Sequence, residues 1–377
     1  MQYAIFTAYR ISKLCFNLYH IFMNICTLGY HDPEGVRHWI IREGLEKSGH
    51  KVFECITDKK GLIPKYIDLT GKYWKQRKKT DAILVPFSGH YIMPLAWLLR
   101  LVSRKKIIFD VFISLHDTLV DDRKLVKPNS FYARFLRFMD WLSCRLASVI
   151  LIDTELHKQF FVDHYKISPE KILVLPIGCR ADLYEKTDLL KNDKFTVIFY
   201  GSYIPLQGID VILKAASIIQ KEDPSIQFEL IGKGQTRSMM EGLAKQLELT
   251  NAKFINSLPL EELVKKIKKA DICLGIFGTS EKANRVIPHK VYDALCAGCP
   301  LVTARTQAAK ALMSDGKNAI LSAPGDAEDL ARQIIELKKD ENLRNSIANG
   351  GRKLFNDNFT TQKIVAPLAD WLNRLNS

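Results

Sequence analysis

The chain has 377 residues, of which 47% are hydrophobic and 25% are charged. This composition excludes disorder on the scale of a domain, and the length favours two domains over one. Fifty-five Lys and Arg residues against 41 Asp and Glu residues give a net charge of +14, so anionic partners are favoured.

The N-terminus lacks the pattern of a secretion signal. Arg10 and Lys13 interrupt its apolar residues, and no small-residue cleavage site follows. Residues 14–30 are uncharged, but they are short for a bilayer span and contain polar side chains. The eight cysteines are scattered, mostly within apolar runs, as is typical of reduced thiols. We therefore expect a cytoplasmic protein. Either Met1 or Met23 could be its natural start.

Short apolar runs alternate with helical patterns through the first half of the chain. The predicted strands are 22–28, 51–56, 82–86, 106–111, 149–152 and 172–176. Two of the intervening segments, 36–48 and 132–146, have helical periodicity, and the first ends at Gly49. This alternation predicts a parallel sheet covered by helices.

A polar segment, 183–194, separates this set from a second one and marks a domain boundary. The second set has predicted strands at 195–200, 226–231, 252–255, 271–276 and 300–303, with predicted helices at 208–221, 236–247, 260–269 and 288–297. The sequence therefore predicts an α/β protein with two doubly wound domains, 1–190 and 191–358.

The most informative segment is 278–302. A strand ends before it, Pro288 opens a helix and Gly298 closes it. The helix N-terminus then lies at the carboxyl edge of the second sheet, where free N–H groups favour a phosphate. Arg285 and Lys290 could neutralise a diphosphate, and Asp293 could accept hydrogen bonds from ribose hydroxyls or pair with Lys290. The alternative is a solvated surface Arg and Lys.

The order of several short segments carries a family resemblance. These segments are Glu34-Gly35-Val36, Gly49-His50-Lys51-Val52, Leu175-Pro176-Ile177-Gly178, Phe199-Tyr200-Gly201, Leu230-Ile231-Gly232-Lys233-Gly234, Ala270-Asp271-Ile272 and Asp293-Ala294-Leu295. With this spacing the chain resembles glycosyltransferase family 4, the retaining enzymes of the GT-B fold. The resemblance implies two Rossmann-like domains facing across a cleft. It also implies transfer of a sugar from a nucleotide-diphosphate sugar to a glycan or lipid-linked acceptor.

The same resemblance supplies candidate site residues. The donor-binding candidates are Gly201, Lys233, Arg285, His289, Lys290 and Asp293. The catalytic candidates are Asp110 and His116, and the acceptor-side candidates are Gly35, His90 and Glu155. For Asp110 and His116, a structural role is an equal alternative. The resemblance further implies that a last helix, within 359–377, crosses back to the first domain.

Two departures from the family pattern shift the expected charges. Arg285 stands where the family usually has the first of two Glu residues, and Ser202 and Gln207-Gly208 replace a usual Arg and Lys-Gly. The diphosphate charge is then expected to fall on Lys290, Arg285 and Lys233.

No metal and no cofactor are expected. The chain contains no Asp-x-Asp, the usual metal-diphosphate signature of the other large glycosyltransferase fold. The leaving phosphate is then expected to help deprotonate the acceptor, with positioning and electrostatic stabilisation supplying most of the catalysis.

Two basic and apolar segments predict an anionic membrane surface as a partner. Residues 1–31 contain no acidic side chain, and apolar positions in 1–20 recur at helical spacing. The segment 65–79 is rich in lysine and aromatic residues. We expect peripheral attachment to the inner face of a membrane through the first domain. The alternative is a packed accessory helix and an ordinary solvated helix.

Two other functions stay open at this stage. A sugar-nucleotide epimerase could use the same architecture. A non-catalytic polyanion binder is suggested by the net charge, but no zinc finger, RNP-type strand motif or basic helical fork is present, so nucleic acid is not expected as a partner.

Overall fold

The computed structural model describes residues 22–185 and 192–375. Its first domain alternates strands and helices in the order β1 (Asn24–Gly29), α1 (Val36–Lys47), β2 (Lys51–Ile56), α2 (Leu62–Gln76), β3 (Ala82–Val85), α3 (Met93–Ser103), β4 (Lys106–Asp110), α4 (Phe131–Leu146), β5 (Val149–Ile152), α5 (Glu155–Tyr165), β6 (Ile172–Val174) and α6 (Ala181–Glu185). Short 3₁₀ turns and one π-helical turn, Asp117–Asp122, lie in the connections.

The second domain repeats this alternation. Its elements are β7 (Thr196–Tyr200), α7 (Ile209–Glu222), β8 (Gln227–Ile231), α8 (Arg237–Gln246), β9 (Ala252–Ile255), α9 (Leu260–Lys269), β10 (Ile272–Leu274), α10 (Glu281–Arg285), α11 (His289–Ala297), β11 (Leu301–Ala304), α12 (Gln307–Leu312), β12 (Ile320–Ser322), α13 (Ala327–Lys339), α14 (Glu341–Asn358) and α15 (Thr361–Arg374).

Each domain is built on a six-stranded parallel sheet. The strand orders are β2-β1-β3-β4-β5-β6 and β12-β11-β10-β7-β8-β9. In each sheet the chain first adds strands on one side of the starting strand and then on the other. This change of side, or reversal, falls between β1 and β3 in the first sheet and between β7 and β10 in the second. Such a reversal opens a crevice at the carboxyl ends of the strands. The predicted α/β class with two doubly wound domains is confirmed.

The central strands are buried on both faces, which explains their continuous apolar sequences. All four residues of β3 and of β5 are buried, because helices cover both sides of each sheet. Several helices begin at a capping side chain, among them Ser130, Thr154, Asp326 and Thr360, each of which accepts a hydrogen bond from the first turn.

The last helix, α15, packs against α1 of the first domain. Its residues Ile364, Val365, Leu368 and Leu372 are buried in one cluster with Trp39, Ile40, Ile41 and Leu45 of α1. The helices meet at Gly44, where an added Cβ would lie 2.5 Å from the Cγ2 atom of Val365. The chain therefore ends on its first domain after building its second.

Only one of the two segments predicted to bind a membrane lies within the described residues. The predicted interfacial helix, 1–20, lies outside the described residues, whereas the basic segment 65–79 lies mainly on α2. Within the described ranges, no helix combines the length and apolar character needed to cross a bilayer.

Candidate active site

A cavity of about 830 Å³ lies between the two domains, where their sheet reversals face each other. The loops after β1 and β3 line it from the first domain, through His31, Gly35 and Ser88. The loop after β7 lines it from the second domain through Gly201, and the start of α11 contributes His289 and Lys290. Both crevices thus open into one space large enough for a nucleotide-sized ligand.

The second-domain wall presents free backbone N–H groups beside Lys290. Pro288 is the N-cap of α11 and Gly298, at φ +63°, is its C-cap. Gly201 has φ +139°, and an added Cβ there would lie 3.3 Å from the Nζ atom of Lys290, so glycine lets the backbone approach this lysine closely. An anion placed between Gly201 and α11 would meet the positive end of the helix dipole.

Lys290 is buried although it carries an ammonium group. Its Nζ atom donates a hydrogen bond of 2.6 Å to the side-chain oxygen of Gln207 and lies 3.6 Å from the centre of the Phe199 ring. Burial holds the pKa of Lys290 well below its usual range. Since neither partner carries a negative charge, the site is deficient in anions and suited to a phosphate.

Asp293 lies behind the cavity wall and does not line it. Its Oδ2 atom accepts a hydrogen bond of 2.7 Å from the hydroxyl of Tyr200 and lies 3.2 Å from Nδ1 of His289. Burial raises the pKa of the Asp293 carboxyl group. In this structure Asp293 orients Tyr200 and His289, both of which line the cavity.

Arg285 and Lys233, the other cationic donor candidates, do not line the cavity. Arg285 donates a hydrogen bond to Asp117 of the first domain, and its guanidinium group lies 4.1 Å from the centre of the Phe160 ring. The hydroxyl of Thr154 also donates to the carbonyl oxygen of Arg285, at 2.6 Å. Lys233 is exposed and outside the cavity lining. Arg285 therefore connects the two domains.

Asp110 lines the cavity but is fully engaged by a neighbour. Nε of Arg37 lies 2.9 Å from both carboxylate oxygens of Asp110, and Nη2 lies 2.7 Å from one of them. The same guanidinium group donates to the carbonyl oxygen of Leu175, at 3.1 Å. Asp110 thus fixes Arg37, a further cavity residue that the sequence reading did not single out.

The remaining candidates divide between the cavity and its surroundings. Gly35 lines the cavity, whereas His116, His90 and Glu155 do not. Nδ1 of His116 lies 3.2 Å from Oδ2 of Asp121, and Glu155 is an exposed residue in the first turn of α5. His90 is buried, with its Nε2 atom 3.3 Å from Oδ1 of Asp140.

Asp140 organises the loop that carries His116. It accepts hydrogen bonds from the N–H groups of Leu115 and His116, at 2.8 and 3.0 Å, and from the hydroxyls of Ser114 and Tyr165. Burial opposes ionisation of Asp140, but the contacts with His90 and the backbone outweigh it and hold its pKa below the usual range. This network gives the loop a structural anchor.

Sequence reasoning missed a polar group at one end of the cavity. Thr118, Asp122 and Arg123 of the first domain meet Lys282 of α10 there. They belong to the irregular segment between β4 and α4, in which no periodic pattern marks them. Only the packing of the two domains against each other brings these residues to one place, and no local sequence pattern reports that packing.

Three side chains of types that can bind a metal ion lie together in the first domain, and two of them, His31 and His38, line the cavity. Nε2 of His31 and Nε2 of His38 lie 3.2 and 2.8 Å from the two carboxylate oxygens of Glu54. Burial opposes ionisation of Glu54, but its hydrogen bonds to both histidines and to Thr27 outweigh it and lower its pKa. Two histidines and a carboxylate match a zinc donor set, and they equally satisfy one another as a hydrogen-bonded group.

The facing Rossmann-like domains, with a cavity at both sheet reversals, define a GT-B protein. The chain superimposes on HepE from Anabaena in complex with UDP-glucose with a TM-score of 0.70 at 17% sequence identity, covering 93% of this chain and 100% of that chain. At this identity the likeness establishes the fold.

Sequence comparison adds a family match for the second domain. Residues 182–354 match the family model of glycosyl transferases group 1. An uncharacterized glycosyltransferase of Methanocaldococcus jannaschii is 23% identical over 45% of each chain. The capsular polysaccharide biosynthesis glycosyltransferase CapM of Staphylococcus aureus is 22% identical, over 66% of this chain and 67% of its own. The family resemblance read from the sequence is confirmed.

The chain spans about half the length of several of the curated relatives that it matches, from 45% to 53%.

Proposed function

We propose that this protein is a glycosyltransferase that transfers a sugar from a nucleotide-diphosphate sugar to a glycan or lipid-linked acceptor. The observation that carries the proposal is the pairing of buried Lys290 with the N-terminus of α11 at the sheet reversal of the second domain. Both groups favour an anion, and both belong to one cavity. The complexes of HepE with UDP and UDP-glucose favour UDP as the nucleotide.

The proposed reaction retains the configuration at the anomeric carbon and uses no metal on the diphosphate. Lys290 and the α11 amides stabilise the charge that develops on the leaving phosphate. As the bond between the anomeric carbon and the diphosphate oxygen breaks, the leaving phosphate takes the proton of the acceptor hydroxyl. The oxygen of that hydroxyl bonds to the anomeric carbon on the face from which the diphosphate leaves. Gly201 allows this close approach because it has no side chain.

A ligand screen and a product analysis test the proposal together. UDP-, GDP- and ADP-sugars are compared by thermal shift, because a ligand bound only to the folded state raises its Tm. With the donor that binds, the coupling constant of the product's anomeric proton reports its configuration. An α-linked donor should give an α-linked product, and turnover should persist in EDTA. An inverted product would contradict retention, and activity restored only by Mg²⁺ or Mn²⁺ would contradict the metal-free reaction.

The proposed setting is the cytosolic face of a membrane, in cell-surface polysaccharide or glycolipid biosynthesis. The role of CapM in capsular polysaccharide biosynthesis supports a role in cell-surface polysaccharide biosynthesis. The cysteines of the described residues are buried and form no disulfide with one another, which suits a reducing compartment. Exposed apolar side chains recur along the outer faces of three neighbouring helices: Ile63, Ile67 and Trp74 on α2, Trp97, Leu98, Leu101 and Val102 on α3, and Phe131, Tyr132, Phe138 and Trp141 on α4.

These helices also carry the basic residues that an anionic surface would attract. Lys75 lies at the end of α2, and the guanidinium group of Arg77 packs 4.1 Å from the centre of the Trp74 ring. Aromatic side chains beside lysine and arginine are suited to the headgroup region of a bilayer. We therefore propose that the α2 to α4 face attaches the protein reversibly to the membrane that holds its acceptor.

A further inference from the structure

The π-helical turn between β4 and α4 brings the first domain against α10 of the second. Nζ of Lys282 donates a hydrogen bond of 2.6 Å to the hydroxyl of Thr118 and lies 3.4 Å from Oδ2 of Asp117. Asp117 also accepts from Arg285. Most charges at this contact are thus paired across the two domains.

Asp122, at the end of the same turn, differs from its neighbours. Its side chain lines the cavity and is only 4% exposed, yet neither carboxylate oxygen has a hydrogen-bond partner among the residues that the structure describes. The charges of Lys282 and Arg123 and the hydroxyl of Ser280 favour the ionised form of Asp122, but none of them meets the geometry of a hydrogen bond to either carboxylate oxygen. A buried carboxylate without partners is costly, so a ligand that donates hydrogen bonds to Asp122 would be stabilised there.

The chemistry of Asp122 restricts that ligand. An ionised carboxylate accepts hydrogen bonds through two oxygens and repels phosphate groups, so it suits neighbouring hydroxyls of a neutral ring. Burial also raises the pKa of Asp122, and the nearby charges of Lys282 and Arg123 offset this only in part. Asp122 of the first domain and Lys290 of the second line the same cavity, so one ligand could contact Asp122 through a sugar ring and Lys290 through a diphosphate.

We propose that Asp122 binds hydroxyl groups of the donor sugar and thereby selects the sugar to be transferred. The inference rests on the proposed function, because it requires a nucleotide-diphosphate sugar in this cavity. The carboxylate comes from the first domain and the phosphate site from the second, so one donor molecule would hold both domains together.

Calorimetric titrations with UDP and with UDP-glucose test the inference, since the two ligands differ by the sugar. We expect Asp122→Ala to weaken UDP-glucose binding about tenfold while leaving UDP binding unchanged. The matched control is Asp121→Ala, which removes the adjacent carboxylate. Asp121 is largely exposed and outside the cavity lining, so both affinities should stay at the wild-type values.

Thermal unfolding of Asp122→Asn separates ligand binding from a structural role. Removing an unpaired buried charge should maintain or raise the Tm, while UDP-glucose still binds more weakly than to the wild type. A lower Tm, with UDP and UDP-glucose weakened equally, would overturn the inference in favour of a structural role. Unchanged UDP-glucose binding would overturn it as well. If the wild-type protein bound neither ligand, the proposed UDP-sugar donor would fail together with the inference.

Discussion

Lys290 occupies an unfavourable position for a cation, because its ammonium group is buried beside the neutral side chain of Gln207. A bound diphosphate would supply the missing counter-charge. We expect Lys290→Met to weaken donor binding roughly 10- to 100-fold, the equivalent of one charge-assisted hydrogen bond. Calorimetric titration of the nucleotide identified by the thermal-shift screen measures this loss.

Lys310→Met is the control for this variant, because Lys310 lies exposed on α12, away from the cavity. It should bind the nucleotide as the wild-type protein does. Equal affinities of the Lys290→Met variant and the wild type would remove Lys290 from the donor site.

A pH prediction follows from the lowered pKa of Lys290. In the free protein, burial favours the neutral amine, so the ammonium form is lost at a lower pH than usual. A diphosphate favours the ammonium form and raises the pKa again. Binding should therefore take up a proton where the free amine is neutral, and affinity should fall as pH rises. Titration in buffers of different ionisation enthalpy measures the uptake, which should disappear in Lys290→Met; uptake that persists there would assign it to another group.

Single residues show what the sequence could and could not predict. The position of Lys290 at a helix start followed from Pro288 and from the strand before it, since both signals are local. The burial of Lys290 against the Phe199 ring could not be predicted from the sequence, because it depends on packing between segments far apart in the chain. Arg285 was expected at the diphosphate, but its contact with Asp117 crosses 168 positions of sequence. No motif or periodic pattern in the sequence singled out Asp122 as a site residue.

At the scale of elements, the contact between α1 and α15 depends on the absence of a side chain at Gly44. An added Cβ would lie 2.6 Å from the carbonyl oxygen of Thr361 as well as against Val365. We expect Gly44→Ala to lower the free energy of unfolding by about 1–3 kcal/mol, because overpacking would force the helices apart. Urea denaturation measures this change.

Gly71→Ala provides a matched control within α2. Nothing lies within 4 Å of an added Cβ at Gly71, so this substitution should stabilise the helix by about 0.5–1 kcal/mol. If both variants lost stability equally, the effect at Gly44 could not be attributed to the contact with α15.

Most elements were predictable because their signals are local. The strands at 51–56, 149–152 and 252–255 match their predicted bounds, and so does the helix at 260–269. Each has an apolar pattern bounded by a turn or a capping residue. The predicted strand 271–276 is shorter in the structure, Ile272–Leu274, although the N–H of Gly275 still donates to the carbonyl oxygen of Val302 on β11.

At the scale of the whole molecule, the exposed face of α2 to α4 predicts binding to anionic vesicles. Co-sedimentation with liposomes should rise with the fraction of anionic lipid and fall with salt. Neutralising Lys75, Arg77, Lys78 and Lys79 should reduce it. Neutralising four exposed lysines of the second domain, Lys253, Lys310, Lys317 and Lys353, changes the net charge equally and should leave binding intact. Indifference to lipid charge would contradict the proposed attachment.

The central claim is that both sheet reversals open into one donor site, and a crystal structure with the bound nucleotide sugar tests it most directly. We expect the diphosphate to lie between Gly201 and the first turn of α11, with the Nζ atom of Lys290 moved from Gln207 to a phosphate oxygen. The sugar should then extend toward the first domain. A diphosphate bound outside this cavity, or a Lys290 side chain still donating to Gln207 in the complex, would contradict the account.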